Sequence, residues 1–175
     1  MNKFENPMFE KEIGLTKELE KNLEIERKFL IKTLPANINS YSHQDITQGY
    51  IIADENHEIR LRKKGDKYFK TIKTGSGKIR TEEEYEITKE QFETEWPQVE
   101  SRIIDKTRYK IPYEEYTIEL DIYKENLDGL LTAEVEFKNE EESNQFKLPE
   151  YFDTELTDDP NYKNKNLALK GKPAK

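Results

Sequence analysis

Glu24, Glu26 and Lys28 stand at alternate positions in LEIERKFLI (residues 23–31), between Leu23, Ile25, Phe29 and Ile31. A period of two is what a strand with one apolar face requires, and Arg27 is the exception on the apolar side. The other face then carries two carboxylates and an amine, all ionised at neutral pH. The habit recurs along the chain. HEIRLRKK (57–64) sets Glu58, Arg60 and Arg62 opposite Ile59 and Leu61, and KIRTEEEYEIT (78–88) sets Arg80, Glu82, Glu84 and Glu86 opposite Ile79, Tyr85 and Ile87. RIIDKTRYKIPY (102–113) contributes Lys106, Arg108 and Lys110, while EYTIELDIY (115–123) contributes Glu119 and Asp121. LLTAEVEF (130–137) adds Glu134 and Glu136 opposite Ala133, Val135 and Phe137. KYFKTIKT (67–74) alternates less well: Lys73 shares a face with Thr71 and Phe69, and Lys70 points the other way.

Like charges at i and i+2 lie only ~7 Å apart along one strand and repel. Solvated strand faces usually mix Thr, Ser and Gln with both signs, so a whole set of such faces asks for counter-ions. Arg60, Arg62, Lys73 and Arg108 want an anion, and Glu24, Glu26, Glu134 and Glu136 want a cation. A space holding both signs suits a metal-complexed polyphosphate. Carboxylate oxygens grip a hard cation, while guanidinium and ammonium groups grip phosphate oxygens.

The elements that must position these residues are eight candidate strands separated by turn signals. To the six segments above, DITQGYIIA (45–53) adds a strand, as does KYFKTIKT; Gly65-Asp66 reads as a hairpin turn, GSG (75–77) as the next, and Asn126–Gly129 as another. KEQFETEW before Pro97 and NEEESNQF after residue 138 read as short helices. The expected fold is mainly β: an eight-stranded antiparallel closed barrel, charged faces inward, apolar faces outward and covered by peripheral helices. Residues 1–22 read as an N-terminal extension with a weak helical stripe (Ile13, Leu15, Leu19), residues 23–170 as the domain, and 171–175 as a disordered tail.

Composition sets the outer limits. The chain has 175 residues, 33% hydrophobic and 38% charged, with 11% aromatics that argue for a folded core. It has no cysteine, which removes disulfides and thiolate metal sites. A net charge of −8 makes a duplex nucleic acid a poor partner. No apolar run approaches the ~18 residues of a membrane span, and the first residues lack a signal-peptide core, so a cytoplasmic protein without a membrane partner is expected.

The charged segments taken in order resemble the CYTH, or triphosphate tunnel metalloenzyme, family. Glu-x-Glu-x-Lys at 24, 26 and 28 is followed by QGY (48–50), the Arg-x-Arg of EIRLR, KTIK with Lys73, RTEEEYE, KTRY with Arg108, ELD (119–121), AEVE (133–136) and DDPNYKNKNLA. The resemblance covers residues 23 to about 169. It implies a tunnel that binds a triphosphate with Mg²⁺ or Mn²⁺. Glu24, Glu26, Glu134 and Glu136, with Asp121, resemble the metal set. Lys28, Arg60, Arg62, Lys73, Arg80 and Arg108 resemble the phosphate-binding set. Glu24, Glu26, Lys28, Glu86 and Glu136 take the catalytic roles, with Glu86 a candidate to activate the water. Glu82, Glu84, Glu119 and Asp121 would fix the bases. The chain departs from the family in its 22-residue leader and in Asn161, where bacterial relatives often carry Arg.

The implied activity is metal-dependent hydrolysis of a triphosphate, inorganic tripolyphosphate first and nucleoside triphosphates second. A class IV-type adenylate cyclase, a thiamine triphosphatase and a non-catalytic polyphosphate or nucleotide binder stay open, as does a homodimer. TGSGKIRT (74–81) imitates a P-loop but has Ile72 and Ile79 where Gly and Ser/Thr belong. His43 and His57 stand alone, and Trp96 with Phe92 reads as helix packing.

Overall fold

The computed structural model describes residues 25–75 and 81–174. Nine strands form one antiparallel sheet. They are β1 (Ile25–Ile31), β2 (Ser42–Ala53), β3 (His57–Lys64), β4 (Lys67–Thr74), β5 (Thr81–Ile87), β6 (Ile103–Tyr113), β7 (Tyr116–Tyr123), β8 (Leu131–Phe137) and β9 (Phe152–Glu155). Their order across the sheet is β5-β4-β3-β2-β6-β7-β8-β1-β9. Eight strands match the expected segments, and β9 is additional. Among the described residues the hydrogen-bonded ladder ends at β5 on one side and β9 on the other. The antiparallel sheet is therefore as expected, whereas a circuit closed by hydrogen bonds is not what these ladders form.

Register carries the charged residues onto one continuous face. Glu26 pairs with Glu136 and Lys28 with Glu134 across β1 and β8. Glu134 pairs with Glu119, and Thr132 with Asp121. Asp121 pairs in turn with Arg108, and Tyr123 with Lys106. Ile46 of β2 then meets Lys106 on one side and Lys64 on the other, and Gln48 meets Arg62. Arg60 pairs with Thr71 and Glu58 with Lys73, and β5 adds Glu82 opposite Lys73 and Glu84 opposite Thr71. Because side chains alternate faces, these pairings fix a single polar face shared by eight strands.

The apolar face is covered from outside. Helix α1 (Lys89–Glu95) starts at a capping box, with Thr88 and Gln91 each satisfying the other's backbone amide. It continues into a 3₁₀ turn (Trp96–Val99) containing Pro97. Leu61, Phe92 and Val99 are buried together there, with Tyr68, Trp96 and Ile103 against them. Gly49 makes this approach possible, since a Cβ on it would lie 2.8 Å from Val99. On the other half, α2 (Glu140–Gln145) and β9 flank a larger core of Phe29, Ile118, Leu120, Val135, Phe137, Phe146 and Phe152. Each fully buried side chain of this kind contributes about 1.5–3 kcal/mol relative to exposure. Arg27 lies on this outer side, bonding Glu155 through Nε at 3.0 Å and the Ser143 carbonyl at 2.7 Å.

The charged face has a closed end. Tyr50, Ile104 and Tyr123 continue the polar face and pack with Leu127, Leu130 and Leu167 of α3 (Asn164–Lys170). Tyr123 donates its hydroxyl proton to Asn164 Oδ1 at 2.7 Å, and Lys28 Nζ reaches the Tyr162 carbonyl at 2.7 Å. The DDPNYKNKNLA segment is thus stitched across one end of the interior. The expected extension of residues 1–22 lies outside the described residues.

Candidate active site

Burial is graded along the charged face. Beside the closed end, Gln48, Arg60, Thr71, Lys106, Asp121 and Thr132 are buried. At the opposite rim Lys110, Glu86 and Glu136 are exposed, and Glu26 and Glu119 are half-buried. The face thus runs from buried ionic groups at one end to exposed ones at the other.

Two ionic clusters lie on this face. In the first, Asp121 accepts from Lys106 Nζ at 2.7 Å and from Arg108 Nε and Nη2, each at 2.7 Å. Lys106 and Asp121 have side chains with 0% exposure. Arg108 also bonds Glu119 and lies 3.7 Å from Glu134, which Lys28 approaches at 3.6 Å. Burial works to raise the Asp121 pKa, but Arg108 and Lys106 hold it well below the usual carboxylate range. For Lys106 burial prevails, with Arg108 adding repulsion, and its ammonium is pushed down to about 8. Three cations here meet Glu119, Asp121 and Glu134, so the cluster is close to internally neutral.

The second cluster gathers its cations on one carboxylate, with Glu58 and Glu82 adding negative charge near Arg60. Arg62, Arg60 and Lys64 reach the one carboxylate of Glu84 at 2.6, 3.5 and 3.6 Å, and Thr71 donates to it at 2.8 Å. Burial would raise the Glu84 pKa, but Arg62, Thr71 and the other two cations bring it to about 2. Burial and then the neighbouring Arg60 push Arg62 down to about 10. Lys64 is lowered by burial and by Arg62. Crowded cations sharing a carboxylate are a seat for a further anion. Orphaned atoms say the same: among the described residues, Arg60 Nε, Arg62 Nε, Gln48 Oε1 and Thr132 Oγ1 are buried without hydrogen-bond partners. All belong to the interior face, where a ligand would meet them.

The sequence-expected residues fall as follows. Lys28, Arg60, Arg62 and Arg108 converge in the interior, and Lys73 joins from β4, 3.2 Å from Glu82. Glu82, Glu84 and Glu119 sit against these bases, as a base-fixing role requires. Glu26 and Glu136 stand opposite each other toward the rim, and Glu134 lies deeper between Lys28 and Arg108. Asp121, expected in the metal set, has both of its oxygens engaged by Lys106 and Arg108 in this structure. Glu86 is exposed on the edge strand, 3.5 Å from Lys67. Glu24 and Arg80 lie outside the described residues, as does most of the Gly-rich turn. Among the described residues no three acidic, histidine or cysteine side chains converge as a metal nest.

Sequence reasoning gave no site role to Lys106, Gln48, Thr71 and Lys64, although it placed Lys106 and Thr71 on charged faces and Gln48 in the QGY segment. Lys106 had a signal, because it shares a strand face with Arg108 two residues on; it reads as one more charge until the fold removes it from water. A separate cleft of about 380 Å³ beside the 125–127 turn, lined by Ser101, Asp105, Lys124 and Asn126, contains none of the interior charges.

No family model matches the chain. Curated proteins do. It is 42% identical over 149 residues to an inorganic triphosphatase of Nitrosomonas europaea, covering 83% of this chain and 97% of that protein. An inorganic triphosphatase of Acetivibrio thermocellus is 36% identical over 152 residues, covering 83% of this chain and 92% of that protein. Among solved structures, a crystal structure of an inorganic triphosphatase superposes with a TM-score of 0.66 at 40% identity, covering 83% of this chain and 94% of that one.

Proposed function

The chain belongs to the inorganic triphosphatase family, and from that premise we propose that it hydrolyses inorganic tripolyphosphate bound in the charged interior. The observation that carries this reading is the pair of buried, unpartnered Nε donors on Arg60 and Arg62 beside an over-subscribed carboxylate. Oligophosphate is a ligand with enough acceptor oxygens to satisfy those donors together with Lys28, Lys73, Lys106 and Arg108. The closed end, capped by Tyr50, Tyr123 and Leu167, favours a compact linear anion that enters from the rim. In this reading the sheet is completed as a CYTH-type tunnel around the ligand, with β5 on one margin and the β1–β9 pair on the other.

The reaction breaks a terminal phosphoanhydride bond, and this chain's part in it is chiefly positional and electrostatic. Arg60 and Arg62 hold the terminal phosphoryl group, exchanging part of their contact with Glu84 for phosphate oxygens. Arg108, fixed by Asp121 and Glu119, holds its direction without side-chain reorganisation. Lys106 and Lys28 neutralise charge on the remaining phosphates. Carboxylates alone make up the donor set for a metal, which fits Mg²⁺ or Mn²⁺ and not a soft ion. Glu26 and Glu136, directly opposite each other, would hold it together with Glu24 and Glu134. Such an ion, when bound, neutralises phosphate oxygens and orients them.

Phosphate release tests the proposal. Purified protein with Mg²⁺ or Mn²⁺ is offered tripolyphosphate, ATP and thiamine triphosphate in parallel. Tripolyphosphate should give equal amounts of orthophosphate and pyrophosphate, and faster than the other two give product. Glu26→Ala should lose most turnover, on the order of 100-fold or more, while Arg60→Ala should chiefly raise KM. Cyclic nucleotide with pyrophosphate from ATP, and no orthophosphate from tripolyphosphate, would overturn the assignment.

A further inference from the structure

Gln48 is buried with 0% exposure in the middle of β2. Its face is certain, because the next residue, Gly49, turns outward against Val99. Its strand partners are Arg62 on β3 and Ile104 on β6, which places it between the anion seat and the closed end. The amide is half-used: Nε2 donates to the Tyr50 hydroxyl at 2.8 Å, and Oε1 has no partner.

An unpaired acceptor among cations is chemically selective. Arg60, Arg62 and Lys106 only donate hydrogen bonds, and a deprotonated phosphate oxygen answers them. The same oxygen has no proton to give Gln48 Oε1. Water has. Resting on the triphosphatase reading, we propose that Gln48 is a further catalytic residue: its Oε1 accepts a hydrogen bond from the attacking water and aims that water's oxygen at the terminal phosphorus held by Arg60 and Arg62. Tyr50 fixes the amide by taking its other end, and the apolar cap behind it excludes further water. In the step itself the water oxygen bonds to the terminal phosphorus. The bridging P–O bond breaks, its electron pair staying on pyrophosphate. One water proton remains on orthophosphate and the other passes to the pyrophosphate oxygen, so P₃O₁₀⁵⁻ and H₂O yield HPO₄²⁻ and HP₂O₇³⁻. Gln48 itself takes no proton.

The experiment compares steady-state orthophosphate release from tripolyphosphate by the wild-type protein, Gln48→Met and Gln48→Glu, with the Ki of a non-hydrolysable imidotriphosphate. Gln48→Met keeps length and loses the acceptor; it should lower kcat on the order of 100-fold with KM and Ki within about threefold. Gln48→Glu restores the acceptor and should recover at least about a tenth of wild-type kcat. Three outcomes overturn the proposal: a Gln48→Met kcat within threefold of wild type, a loss confined to KM and Ki (the amide would then be gripping phosphate), or Gln48→Glu no better than Gln48→Met. If Gln48→Met does not fold by circular dichroism, Gln48→Asn, which withdraws the acceptor by one methylene, takes its place with the same outcomes. A wild-type protein inert toward tripolyphosphate fails the triphosphatase reading itself, and this inference with it; an active one isolates the role of Gln48.

Discussion

Glu84 is the residue on which the free pocket balances. Its carboxylate is held by Arg62, Arg60, Lys64 and Thr71. Its pKa of about 2 lies below the ordinary 4.5, so the folded state prefers it ionised. The stabilisation is therefore fully present above about pH 4.5 and lost as pH falls toward 2, on the order of 2 kcal/mol after allowance for partial exposure. Urea unfolding of wild type and Glu84→Gln across that range should show their stability difference shrinking with acid; a constant difference would contradict the assignment. Asp121 belongs to another class. Removing its charge by Asp121→Asn takes the shared counter-ion from buried Lys106 and Arg108, drives the Lys106 ammonium further down from about 8, and should cost about 3–5 kcal/mol at neutral pH. A loss below about 1 kcal/mol by chemical denaturation would argue against that pair. The sequence named both acids, yet could not tell a base-fixing carboxylate from a metal ligand, because that depends on which cations cross-strand pairing delivers.

Strands and helices were legible to different degrees. Eight strands showed in the alternation of apolar and charged residues, with β3 and β4 matching their expected ends. α1 showed as KEQFETEW before Pro97, but its capping pair did not, because Thr88 read as the last residue of a strand. β9 did not show, since FDTE is four residues long with one apolar side chain, and its existence depends on the edge that β1 offers. Gly49 likewise gave no sign that a 3₁₀ turn would settle on it. Gly49→Ala should destabilise the domain by about 1–3 kcal/mol through overpacking against Val99. Adding Val99→Ala should relieve part of that loss, and a thermal-unfolding cycle of the four proteins measures the coupling. Additive effects would place the clash elsewhere.

For the whole molecule, the net charge of −8 conceals an interior arranged for an anion. A ligand that bridges β3, β4, β6 and β1 ties together strands distant in the sheet order, so it should stabilise the fold beyond its local contacts. At a concentration 100 times Kd, tripolyphosphate with Mg²⁺ should add about 2.7 kcal/mol, or about 5–10 °C in Tm. Orthophosphate at the same concentration, spanning fewer groups, should shift Tm by less than half as much. Equal shifts from the two would show that the pocket does not measure the length of the anion.

What the sequence determined by itself was local: a repeat of two sorts side chains onto faces through backbone geometry alone, so Lys28, Arg60, Arg62, Arg108, Glu26 and Glu136 could be grouped before any coordinates. Partnership was decided only in three dimensions. The order β3-β2-β6-β7-β8-β1 sets Arg62 and Arg108 on either side of β2, gives Asp121 to Lys106 and leaves Glu84 to three cations. The same folding lays α3 over one end, and it strands the Gln48 carbonyl among donors. Those outcomes depend on contacts between residues far apart in the chain, whose energies no short window of sequence contains.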